Sequence, residues 1–591
     1  MNPKGPFVER LAARPRSPVK GLGSSAHSLG RALVRPQHAG IAILLCGWLL
    51  LVLVANPFGE FPLNDDWSYS QAVKSLVDHG QLAFTDFTSM TLVAQVLWGA
   101  VFSLPFGFSF LALRLSTVVL GAVGVAVTYA LLRELGVGRR LSLLGAAVLG
   151  LNPLYFSLSL SFMTDVPFTV AALLSILFFT RSFRTDALVD VLLGFAFAVV
   201  VVLIRQPGIV VPIAYAIAFL VKWGWTRRTL TRAIIPAGAV LAVVMLYPFV
   251  IKATVGLPAN FIGAQGLAAG IRTSAADDLL SVPRAILDRL WLQLIYLGLF
   301  VFPLAPLAAT SFSQRLRSRS SRRQVIALCA LLAAIGAILL ARDALMPLSG
   351  NVLFDLGLGP LLLRDTYLLG LPHFPSASPV FWAVVTAAAA LGAATLSACV
   401  WSAGRTALAA RLEGSGQRDV RLMFVLLVGL VYVAGVAVST ASPQYSFFDR
   451  YVVFLLVPAI AVLAKAAPAS NRGAAPALAT AIVLVGLYSV FSVTQTHDYL
   501  AWNRARWQAL GDLTRQGVPP TKIDGGFEFN AWYGYDSAAP PETAGGTWRT
   551  QGDEYVVTLG PLPSYVEVRR YPFRRWLPFR SDAITVLRPN R

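Results

Sequence analysis

The sequence predicts an all-α polytopic membrane protein of about thirteen transmembrane helices, with a small extracytoplasmic α/β domain at its C-terminal end. Three observations predict it. Of the 591 residues, 56% are hydrophobic and 13% charged, against roughly 25% charged in an average soluble domain. Apolar runs of about 20 residues, enough to cross a hydrocarbon core as a helix, recur along most of the chain. From Thr494 onward, charges of both signs, tryptophans, tyrosines and Gly/Pro punctuation replace those runs. The net charge of +20 would suggest nucleic acid in a soluble chain. Here the positive residues stand in short segments between apolar runs, where the positive-inside rule puts them.

That rule orders the elements. The segment 1–38 carries Lys4, Arg10, Arg14, Arg16, Lys20, Arg31 and Arg35, so it is read as cytoplasmic and the first span, Ala39 to Phe58, as a retained anchor. An external loop, 59–109, follows. Its apolar stretch Met90 to Leu104 is short and carries Gln95 and Trp98, so it is assigned to lie on the outer surface or re-enter. Phe110 to Leu132 leads to the basic turn Arg133 to Arg140, and Leu141 to Ser159 returns outward. Spans then alternate at 168–180, 188–204, 209–221, 234–250, 290–309, 325–340, 380–401, 422–438, 451–464 and 475–493. Further external loops fall at 251–288 and 342–378. The transmembrane domain is thus 39–493 and the outer domain 494–591, with strands expected at 554–559 and 564–568 from their alternation. Cys46, Cys329 and Cys399 lie inside apolar runs and read as small core residues.

With this topology the polar residues that membrane insertion does not explain collect on one side. Asp65-Asp66 stands just after the first span, and Asp165, Arg205, Asp449 and Arg450 stand at the outer ends of others. Charges at such depth are costly unless paired or hydrated. Each has a bland reading: Asp66 or Asn64 could cap the helix that begins near Trp67, Arg205 could snorkel, and Arg450 could bridge Asp449. Together they read as a site. Carboxylates such as Asp65 and Asp165 can serve as a general base or hold a divalent cation such as magnesium or manganese. Arginine forks suit phosphate. The combination suggests transfer of a group from a phosphate-linked lipid. No Gly-rich phosphate loop is present.

The order of these motifs resembles the GT-C glycosyltransferases, specifically the protein O-mannosyltransferases and the lipid A aminoarabinose transferases. It runs Asp65-Asp66, the basic turn 133–140, Thr164-Asp165-Val166-Pro167, Arg205-Gln206-Pro207-Gly208 and Asp449-Arg450-Tyr451. The resemblance implies a GT-C fold and an inverting transfer from a polyprenyl-phosphate sugar to an extracytoplasmic protein, lipid or cell-surface glycan. It implies Asp65 as catalytic carboxylate, with Asp165 beside it. Asp66 stands where the family usually has glutamate. Arg205 is placed at the donor phosphate, with Arg450 and Lys74 as further phosphate ligands. The expected location is the inner (cytoplasmic) membrane, N-terminus inside and C-terminus outside. The alternative, a transporter or lipid flippase, would put its charges near the bilayer midplane in two related halves.

Overall fold

The structure, a computed structural model, describes residues 36–265, 270–273, 278–315, 336, 344–372, 376–412, 420–441, 446–467, 474–534 and 553–590. It is mostly helical with a small C-terminal sheet, as the composition requires. Among the described residues, eight helices are long and apolar enough to cross a membrane. They are Phe110–Glu134, Asp165–Thr185, Gln206–Trp223, Arg227–Thr254, Ser281–Thr310, Pro379–Thr406, Val420–Ser439 and Ala475–Arg515. Shorter apolar helices occupy Ala39–Val54, Val93–Ser103, Leu188–Val202 and Leu456–Ala466. The basic segment before residue 36 and, apart from residue 336, the expected span 325–340 lie outside the described residues.

Two expected spans differ from their helices for physical reasons. The run 141–159 is not one helix: Arg139–Gly150 stops, and Asn152 starts the short helix Pro153–Leu158 by accepting from the backbone N–H groups of Leu154 and Tyr155 at 3.0 and 3.2 Å. Pro153 sits at the first helical position, where its missing donor costs nothing. The last helix, by contrast, does not stop at Val493. It runs unbroken from Ala474 to Arg515, so the boundary placed at 494 falls inside one continuous helix whose side chains change from apolar to polar.

The helix Val93–Ser103 has 11 residues, about 16 Å in length, half the roughly 30 Å of a hydrocarbon core. Its first turn is tied to the end of Leu188–Val202: the N–H groups of Leu92 and Ala94 donate to the carbonyls of Ile204 and Leu203, both at 3.1 Å. Elsewhere Ser281–Val301 and Pro379–Leu412 meet at a glycine pair, Gly298 and Gly392, whose backbones touch.

The helix ends sort by charge. At one end Arg184 bridges Glu134 at 2.6 Å, Arg421 donates to the Glu134 carbonyl and Lys465 to that of Leu135. Asp165 begins the helix that ends near Arg184, Arg205 follows the far end of Leu188–Val202, and Arg450 precedes the start of Leu456–Ala466. The C-terminal sheet has strand order β3-β4-β6-β5, with β3 (Ile523–Asp524) parallel to β4 (Tyr555–Thr558) and the hairpin β5 (Tyr565–Trp576) and β6 (Phe579–Pro589) antiparallel. A two-stranded ribbon, β1 (Leu353–Phe354) and β2 (Gly357–Leu358), lies in the loop before Pro379.

Candidate active site

The loop after the first span is built by a charged residue inside the next one. Arg114, 2% exposed, donates to the carbonyls of Pro57, Gly59 and Phe61 at 2.8–2.9 Å. A buried guanidinium needs such acceptors, and three alternate residues of the loop supply them. Glu60 in turn accepts from Ser109 Oγ and the Phe110 N–H at 2.7 and 2.9 Å, an acid at a helix N-terminus where the dipole favours it. The loop is thereby fixed at both ends, and it delivers Asn64 in the left-handed region, φ 55°, a conformation asparagine tolerates. The Asn64 N–H donates to Glu528 Oε1 at 3.0 Å. Glu528 also accepts from Arg506 at 2.9 Å, and both side chains of that pair are fully buried.

The helix Asp66–His79 then begins without a side-chain cap. Neither Asn64 nor Asp66 fills that role. Asp66 instead accepts from the backbone N–H of Leu63 at 2.6 Å and of Phe162 at 3.0 Å, both outside its own helix. It pins the first loop to the second. Burial pushes its carboxyl up to about 8, against the pull of those two N–H groups and of Arg114. Both of its oxygens thus accept from backbone N–H groups, one in each loop.

Asp65 points the other way. Its Oδ2 accepts from Arg450 Nη2 at 2.8 Å, and Arg205 Nη1 donates to Asp165 Oδ1 at 2.8 Å. These are one cluster. Arg450 interacts electrostatically with both Asp65 and Asp165, and the buried Tyr69 feels all four charged groups. Burial foremost, then the Asp65 charge, pushes the Tyr69 phenol up, so it stays a neutral hydroxyl beside the cluster. Asp165 occupies the first turn of Asp165–Thr185 without capping it. Arg205 stands in extended conformation just past Leu188–Val202, its guanidinium 5.7 and 5.6 Å from the Phe168 and Tyr451 rings. Arg450 lies 5.1 Å from the Phe448 ring. Asp165 Oδ2 and Arg450 Nε are buried without a hydrogen-bond partner, one acceptor and one donor left over beside these rings. Four charges that sum to zero can be desolvated together, yet the side chains of Asp65 and Arg205 remain 15% exposed. The site is deep but open.

The remaining sequence expectations sort as follows. Arg450 pairs with Asp65, not Asp449; Asp449 instead accepts from the backbone N–H groups of Val352 and Leu353, the latter at 2.7 Å, and anchors the β1–β2 loop. Lys74 is not brought to the cluster: it pairs with Asp78 on the exposed side of its helix. Magnesium or manganese at Asp65 and Asp165 is poorly matched. Each carboxylate already holds a guanidinium, and among the described residues no group of three or more His, Cys, Asp or Glu side chains could hold a metal ion. No step is routed through such an ion. Sequence reasoning missed Arg114, Glu528, Arg506 and Tyr69. Only Arg114 carried a signal, as an arginine inside an apolar run.

Residues 91–251 match the family described as dolichyl-phosphate-mannose-protein mannosyltransferase, which bears out over that segment the resemblance drawn from the sequence. No curated protein matches the chain significantly. Among solved structures, ArnT from Cupriavidus metallidurans in the apo state aligns at 14% identity over 93% of this chain and 98% of its own, with a TM-score of 0.36. The same protein bound to undecaprenyl phosphate aligns at 12% identity over 92% and 97%, TM-score 0.35. The oligosaccharyltransferase AglB from Archaeoglobus fulgidus, in complex with an inhibitory peptide and a dolichol-phosphate, aligns at 14% over 82% and 58%, TM-score 0.40.

Proposed function

We propose that this chain is an integral membrane glycosyltransferase that moves a sugar, with inversion, from a polyprenyl-phosphate donor to an extracytoplasmic acceptor. The observation that carries the reading is the convergence of Asp65, Asp165, Arg205 and Arg450, from four separate segments, into one cluster at one end of the apolar helices. The mannosyltransferase family match over residues 91–251 supports the same class. We place it in the inner (cytoplasmic) membrane, and the distribution of basic residues supports an orientation with the cluster on the outer side.

In this mechanism the donor's phosphate displaces Asp65 from Arg450 and sits between Arg450 and Arg205. Asp65, released, accepts the proton of the acceptor's O–H or N–H group as that atom attacks the anomeric carbon from the face opposite the phosphate. The new bond forms as the bond from the anomeric carbon to the phosphate oxygen breaks. The electron pair stays on that oxygen, and the added charge is met by the two preorganised guanidiniums. Asp165 holds Arg205 in place.

A radiolabelled polyprenyl-phosphate-sugar transfer assay on purified protein tests the reading. Asp65→Asn is expected to abolish transfer while the protein still folds and inserts. Near-normal turnover by that variant would overturn the assignment, and donor moved across vesicles unchanged would indicate a transporter.

A further inference from the structure

The hairpin β5–β6 lies alongside the last helix in a direction fixed by two sets of contacts. Near the far end of that helix, Tyr571 OH donates to Asp512 Oδ2 at 2.8 Å. Nearer its apolar half, the N–H groups of Trp576 and Leu577 donate to Asp498 at 2.8 and 3.1 Å, and Gln495 Nε2 donates to the Leu577 carbonyl at 2.8 Å. His497 stacks on the Trp576 ring at 3.8 Å. From Asp512 to Asp498 is about 21 Å of helix, and from Tyr571 to Trp576 about 17 Å of strand. The two therefore run antiparallel and side by side, and the hairpin turn points toward the apolar end of the helix.

What it points toward is the membrane boundary. On that helix Val483, Leu487 and Val490 are 62, 60 and 59% exposed, the lipid-facing side of a helix whose apolar run ends at Val493. Gln495 stands five residues past Val490, about 7.5 Å along the axis. At this level the turn presents Phe579 at 84% exposure, beside Trp576 and Leu577, which are about one-third exposed. Arg574, two residues before Trp576 on the same strand, is also exposed. A soluble turn has no reason to display phenylalanine, tryptophan and leucine together. Aromatic residues with a neighbouring arginine are the composition that settles at a headgroup boundary.

We infer that the β5–β6 turn is a membrane anchor, seating Phe579, Trp576 and Leu577 in the adjoining leaflet with Arg574 among the lipid phosphates. The sheet domain is thus held by lipid as well as by the helix, and this does not depend on the proposed chemistry.

The test uses the full chain in nanodiscs of phosphatidylethanolamine and phosphatidylglycerol. In a background with Cys46, Cys329 and Cys399 replaced by alanine, spin labels are attached through Phe579→Cys and, as a control on the part of β5 away from the turn, Val568→Cys. The label at 579 is expected to be relaxed more by oxygen than by a water-soluble nickel chelate, and that at 568 the reverse. A label at 579 as open to the chelate as that at 568 overturns the proposal. Shielding of 579 from both reagents also overturns it, in favour of a protein partner. Should the cysteine-free chain not fold, p-benzoylphenylalanine at position 579 of the otherwise unaltered chain is expected to give a lipid adduct on irradiation. A protein adduct, or none, has the same contrary meaning.

Discussion

Arg450 donates to Asp65 at 2.8 Å across 385 positions of sequence. In the proposed reaction this pair is the resting state of the base, and donor phosphate exchanges one anionic partner of Arg450 for another. Arg450→Gln is expected to lower kcat/KM by about 10²–10³, the usual cost of removing one preorganised donor to a developing charge. Transfer kinetics of the purified variant check this, and a kcat/KM close to that of the unaltered chain would remove Arg450 from the proposed role.

Glu528 ties the C-terminal domain to the turn that carries Asp65. Glu528→Ala strands the fully buried Arg506 without its counter-ion and removes the acceptor of the Asn64 N–H. Loss of one partner of a buried pair costs about 3–5 kcal/mol. The melting temperature in detergent should fall sharply, and transfer should fall with it even at temperatures where the variant stays folded. Glu528→Gln keeps an acceptor for Asn64 and should recover part of the activity but little of the stability.

Much of this architecture was legible because the bilayer imposes it. Apolar length and the spacing of basic residues locate the helices, and the same charge rule put Asp65, Asp165, Arg205 and Arg450 at one end of them. Partner choice was not legible. In sequence the neighbouring Asp449 is the evident partner for Arg450, and only packing places Asp449 under the β1–β2 backbone and leaves Arg450 to Asp65. Glu528 stands 464 positions from Asn64, in a segment whose composition says only that it is folded. Helix continuation through residue 494 was hidden because hydropathy changes there while helix propensity does not.

Asp66 makes a pH prediction. Its carboxyl is pushed up to about 8 by burial, from an ordinary value of 3.8. The folded chain therefore keeps a proton there that the unfolded chain loses, so the contribution is largest in acid and falls as pH rises between about 4 and 8, then levels off. Asp449, raised by burial to about 6, acts in the same direction but only up to that pH. Melting temperature measured from pH 5 to 9 should decline through pH 6–8, and Asp66→Asn should flatten that part of the slope. An unchanged slope in the variant would show that Asp66 is not the titrating group.

Gly392 and Gly298 set how closely two long helices approach. A Cβ at Gly392 would stand 2.0 Å from the Gly298 carbonyl oxygen, and one at Gly298 would stand 2.3 Å from the carbonyl oxygen of Ala389. Backbone, not a flexible side chain, is what it meets, so neither helix can give locally and the pair must move apart. In an apolar phase such close approach is itself a main source of helix association, through dispersion and Cα–H···O contacts. Gly392→Ala is therefore expected to destabilise by about 1–3 kcal/mol, the range of overpacking in a filled core, although alanine is the better helix former. Gly404 is the control, because a Cβ added there, on the same helix, would meet nothing within 4 Å. Gly404→Ala should be neutral or slightly stabilising. Thermal unfolding of the two variants in one detergent decides it, because equal behaviour would mean that the crossing tolerates a methyl group and is looser than its backbone contacts require.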